Sequence, residues 1–126
     1  MAETAGYFDP LRKKVVAATP EESVRQSVIR WLSESCGIPL VRMQSEWGFT
    51  YNGRQYRADI VVFDRNLNPE ILVECKAPSV KLDDNVIEQV TRYSRVLMAR
   101  KIMITNGNES LYFVFDGTAY IQSETL

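Results

Sequence analysis

The chain has 126 residues, 45% hydrophobic and 25% charged, an ordinary globular composition long enough to build a core. It has no histidine and only two cysteines, Cys36 and Cys75, which excludes histidine-dependent triads and nucleases, the usual zinc sites and a disulfide framework. A formal net charge of −1 and a pI of about 5.5 give no global basic field to draw in nucleic acid, although contacts to phosphates are local and need none.

Taken in order, the opening MAETAGYFDP lacks the basic and apolar regions of a signal peptide, and no run approaches the roughly 18 apolar residues of a membrane span. With so few cysteines, a cytoplasmic location and no membrane partner are the expectation. Residues 1–18 read as an N-terminal arm or short strand, with Arg12-Lys13-Lys14 a small basic cluster ahead of Val15-Val16, solvated surface being the plainer reading and a phosphate contact the other. Thr19-Pro20-Glu21-Glu22 is a helix start: Thr19 suits the N-cap, Pro20 the first turn, and Glu22 completes a capping box. Val24, Val28, Ile29, Trp31 and Leu32 follow at helical spacing, and the helix stops near Cys36-Gly37 with Pro39 beyond.

Gln44–Tyr51 reads as a strand, Asn52-Gly53 as a tight hairpin turn, and Arg54–Phe63 as the returning strand. A second turn, Asp64–Pro69, leads into Ile71-Leu72-Val73, giving an antiparallel three-strand meander. A helix over about Val86–Met98, capped by Asp83 or Asp84, presents Val86, Val90, Tyr93, Val96 and Leu97 to the sheet. Lys101–Thr105 is too apolar for an edge strand, and Leu111–Phe115 and Ala119–Gln122 are short final strands. The expected fold is therefore α/β: a central mixed sheet, the meander plus later strands, flanked by helices in one domain spanning residues 1–126.

The chemistry concentrates in RADIVVFDRNLNPEILVECKA, from Arg57 to Ala77. Pairing Phe63 with Glu70 and counting back places Asp59 directly across from Glu74. Two carboxylates facing each other destabilise a sheet unless a cation lies between them. Mg²⁺ accepts one or two carboxylates and keeps several waters, so the pair reads as a metal site, with Lys76 one pleat from Glu74 on the same face.

An Asp on one strand and Glu-x-Lys on the next resembles the PD-(D/E)xK nuclease superfamily. The wider set, Arg57-Ala58-Asp59, Val73-Glu74-Cys75-Lys76-Ala77-Pro78 and Gln89-x-x-x-Tyr93, resembles the N-terminal nuclease domain of type I restriction enzyme R subunits; Ala58 stands where the superfamily's name implies Pro. The resemblance implies a restriction-endonuclease-like fold and a Mg²⁺-dependent endodeoxyribonuclease, with Mn²⁺ as a substitute. Asp59 and Glu74 would be metal ligands, the Cys75 backbone carbonyl a third, and Lys76 would orient or deprotonate the attacking water. Glu22 would join the acidic cluster from the first helix, or serve only as a cap.

Gln89 and Tyr93, one helical turn apart, would hold substrate, as would Arg57, which shares a face with Asp59. Each has a plainer reading: a surface amide, a core tyrosine, a surface ion pair. Glu46 is expected to face solvent, as is Gln26. The expected partners are DNA and the motor and specificity subunits of a restriction complex, with a homo-oligomer also open. No GxxxxGK[ST] loop occurs, so a motor would lie on another chain or in a longer parent. The alternative function is a non-catalytic nucleic-acid-binding or assembly module that keeps the fold.

Overall fold

The computed structural model describes residues 6–126, so what was expected of residues 1–5 lies outside the described residues. Strands β1 (Gly6–Asp9) and β2 (Lys14–Ala17) pair antiparallel as a separate hairpin. Asp9 closes its turn: the fully buried carboxylate accepts the Leu11 and Arg12 N–H groups at 2.7 and 3.2 Å, and its carbonyl accepts from Lys13 at 2.7 Å.

Helix α1 (Pro20–Glu34) begins at Thr19, whose hydroxyl accepts the Glu22 N–H at 3.1 Å. Only this half of the capping box forms, because the Glu22 carboxylate turns away to Arg12 and Gln26. Six further strands make one sheet in the spatial order β3 (Met43–Tyr51), β4 (Arg54–Phe63), β5 (Pro69–Cys75), β6 (Lys101–Thr105), β7 (Ser110–Phe115), β8 (Tyr120–Ser123). All neighbours are antiparallel except β5 and β6. A parallel pair needs a crossover, and α2 (Asp84–Leu97) supplies it. Its N-cap is Asp83, which accepts the Val86 N–H at 3.0 Å.

The fold is thus mixed α/β, with two helices packed on a six-strand mixed sheet. Strand alternation sorts the core into two layers. Ile60, Val62, Ile71, Val73, Cys75 and Met103 meet Val24, Val28, Ile29 and Leu32 of α1. Val61, Leu72, Ile102, Ile104 and Phe113 meet Val90 and Tyr93 of α2 on the other face. Val96, expected to pack inward, stays substantially exposed. Among the described residues, no helix is long and apolar enough to cross a membrane.

The β4–β5 register is the one that counting gives for Ile60↔Val73, Val61↔Leu72 and Val62↔Ile71. It departs at the turn, where Phe63 pairs with Pro69 rather than Glu70 across a bulge. Asp64 explains the departure: its side chain accepts from Asn66 and Asn68 at 2.8 and 2.9 Å, drawing the loop tight ahead of Pro69. The turn at Asn52-Gly53 has φ of 50° and 73°, the left-handed pair of a type I′ hairpin.

Candidate active site

The last pair of the β4–β5 ladder is Ile60↔Val73. One step on, Asp59 comes level with Glu74, and the strands part: Asp59 Oδ2 itself accepts the Cys75 N–H at 2.7 Å, replacing a ladder bond. Asp59 is 8% exposed, yet its other oxygen is also engaged, by Arg25 Nη2 at 2.9 Å. Burial first, then the adjoining Asp59 carboxylate, pushes the Glu74 carboxyl well above its ordinary range; the Lys76 ammonium pulls the other way without prevailing. A carboxyl raised by burial and by a second carboxylate beside it marks a point short of compensating positive charge.

Glu46 extends this row onto β3. It lies between the pairs Ser45↔Ile60 and Trp47↔Ala58, level with Asp59, and its φ of 53° is left-handed. That conformation is uncommon for a residue with a side chain and belongs to no regular strand. Rather than facing solvent alone, its carboxylate receives Arg25 Nη1 at 3.2 Å, Arg12 Nη1 at 3.3 Å and Arg57 Nη1 at 3.7 Å.

Arg25 is the residue that sequence reasoning missed. It is 6% exposed, and besides Asp59 and Glu46 it approaches Glu22 at 3.7 Å and Glu21 at 3.8 Å. Burial disfavours its charge, but Asp59 and Glu22 more than compensate and raise its pKa. Its Nε is buried without a partner among the described residues. A signal was present: Glu22, Arg25 and Gln26 precede Ile29 at i, i+3, i+4 and i+7 spacing, so these polar residues continue the buried stripe of α1. Gln26, expected at the surface, is buried and donates to Glu22 at 3.1 Å.

The structure therefore brings Asp59, Glu74 and Lys76 into one electrostatic neighbourhood and ties Glu22 to it through Arg25. Arg57 is exposed and reaches Glu46 rather than Asp59. Gln89 is exposed, and no hydrogen bond joins it to these carboxylates among the described residues. Tyr93 is 5% exposed, its ring set against Phe49 and Tyr56 at centroid distances of 5.6 and 5.9 Å. Among the described residues its hydroxyl has no partner, unlike that of a satisfied core tyrosine.

The donor set fits a hard divalent cation only as far as two carboxylates. Asp59 and Glu74 set two carboxyl groups side by side, and a bound cation would offset the repulsion that raises the Glu74 pKa. Among the described residues, no group of three or more Asp, Glu or Cys side chains forms a complete cage. The remaining ligands would have to be backbone oxygen, water or substrate.

The architecture, with carboxylates meeting where two central strands part, is consistent with a restriction-endonuclease-like fold. Residues 20–123 match the family model described as the type I restriction enzyme R protein N terminus (HSDR_N), and the chain belongs to that family. Comparison with curated proteins and with solved structures gave no match.

Proposed function

We propose that this chain is a metal-dependent DNA endonuclease of the restriction type, working with the other subunits of a restriction complex. The observation that carries the reading is the Asp59–Glu74 pair, two carboxylates set side by side where the β4–β5 ladder ends, with Asp59 Oδ2 accepting the Cys75 N–H and Lys76 two residues beyond Glu74. Asp59 is ion-paired with Arg25, but among the described residues Glu74, whose carboxyl adjoins it, has no cation at ion-pair distance. Family membership supports DNA as the substrate.

Asp59 and Glu74 would hold Mg²⁺ or Mn²⁺, with the Cys75 carbonyl as a third ligand. When bound, the ion supplies countercharge to the phosphoryl oxygens and makes water acidic enough to attack near neutral pH. Lys76 lies beside Glu74, where its ammonium adds charge against the developing phosphorane and orients the attacking water. Arg25 and the Cys75 N–H fix the plane of the Asp59 carboxylate. Glu22 completes the acidic rim, while Gln89 and Arg57 would contact the DNA backbone, and Tyr93 would join them once its buried hydroxyl is uncovered.

One observation favours a second reading, a module that binds but does not cut. Both Asp59 oxygens already have donors, so the site is neutralised in part without metal. Incubation of supercoiled and linear DNA with Mg²⁺ separates the two. The nuclease reading expects nicking by the wild type that is lost in Lys76→Ala and Asp59→Ala. Equal nicking by all three marks a contaminant, and DNA binding without any cleavage supports the module.

A further inference from the structure

The matched family span starts at residue 20, but the ion-pair lattice does not. Arg12, in the turn of the β1–β2 hairpin, crosses to the site and donates to Glu22 Oε1 at 2.6 Å and Glu46 Oε1 at 3.3 Å. Both oxygens are also approached by Arg25, at 3.7 and 3.2 Å. Arg12 is held from behind by Asp9, a fully buried carboxylate that ion-pairs with its Nε and caps its backbone N–H. A guanidinium is planar and donates in several fixed directions, so one fork can set the angle between carboxylates on different elements. Here the elements are α1 and β3, and the hairpin lends them a part that neither contains.

We infer that Arg12 is a positioning residue of the site: the Asp9-braced hairpin outside the family span sets where the Glu22 carboxylate stands relative to Asp59 and Glu74. The inference rests on the nuclease reading, because it makes Glu22 matter for the cation and the DNA.

The test uses the full chain and a double-mutant cycle between Arg12→Met and Glu22→Gln. Mn²⁺ alone is titrated calorimetrically, and plasmid cleavage is measured in parallel. Arg12→Met weakens Mn²⁺ affinity or turnover by about tenfold, the usual order for a residue that orients a ligand, and leaves DNA affinity unchanged. Arg12→Lys recovers part of the loss. The decisive result is that Arg12→Met costs nothing further once Glu22→Gln is present.

Since Arg12→Met strands the buried Asp9 carboxylate, Asp9→Asn/Arg12→Met is run beside it and should show the same coupling. Losses that multiply, or a fully active Arg12→Met, overturn the inference while the nuclease reading stands. A wild type that neither takes up Mn²⁺ nor cuts DNA overturns that reading, and this inference with it.

Discussion

Arg25 Nη2 donates to Asp59 Oδ1 at 2.9 Å, joining a helix to a strand through two side chains that are 7% and 11% exposed. The pair is the hinge of the electrostatics, because Arg25 is also the shared partner of Glu46 and Glu22.

Removing one partner of a buried ion pair leaves the other charge uncompensated, at a cost of roughly 3–5 kcal/mol. Arg25→Met should therefore destabilise the metal-free protein by about that amount in urea denaturation, since Asp59, Glu46 and Glu22 all lose a cation. A loss below about 1 kcal/mol, the range of surface pairs, would show that the lattice is solvated rather than structural.

Glu74 makes stability depend on pH in a direction opposite to a salt-bridged carboxylate. Its folded pKa lies above the ordinary 4.5, so the folded state binds the proton more tightly than the unfolded one. The stabilisation is complete below 4.5 and is lost as pH rises through the raised folded value. In EDTA, the wild type should lose stability across that window, and Glu74→Gln should flatten the loss and be the more stable protein at pH about 8. Thermal melts at a series of pH values check this; parallel curves for the two proteins would contradict it.

Tyr93 carries a buried hydroxyl with no partner among the described residues, and an unsatisfied buried polar atom costs about 1–3 kcal/mol. Tyr93→Phe should raise stability by about 1 kcal/mol while weakening DNA binding, the trade-off expected of a group kept for a ligand. A gain in stability with unchanged DNA affinity assigns Tyr93 to the core alone.

Met98 ends α2 in the left-handed conformation, φ 56°, with its side chain largely exposed. Glycine adopts that conformation without the Cβ clash, so Met98→Gly should stabilise by about 1 kcal/mol in chemical denaturation. Unchanged or lower stability would mean that the Met98 side chain packs on Phe115 and Tyr120 more than its exposure suggests.

Most of the sheet was legible because its signals are local. Alternating Val and Ile around Asp64–Pro69 and the left-handed Asn52-Gly53 pair define β3, β4 and β5, and three pairs of the β4–β5 register follow by counting. Asp59 facing Glu74 came from the same arithmetic. Arg25 and Arg12 were not legible in that way, because their meaning depends on partners 34 residues away: Arg25 on Asp59, Arg12 on Glu46. A polar residue on a buried helical stripe reveals that it must be compensated, but not by which strand. Glu46 shows the same limit, since only the left-handed kink within β3 turns it toward the guanidinium groups.

The decisive measurement is calorimetric titration of Mn²⁺ into the wild type, Asp59→Asn and Glu74→Gln at slightly alkaline pH. The wild type should show a saturable site that each substitution weakens by more than about tenfold. Equal binding by all three proteins, or none by the wild type, would contradict a cation held between these two carboxylates.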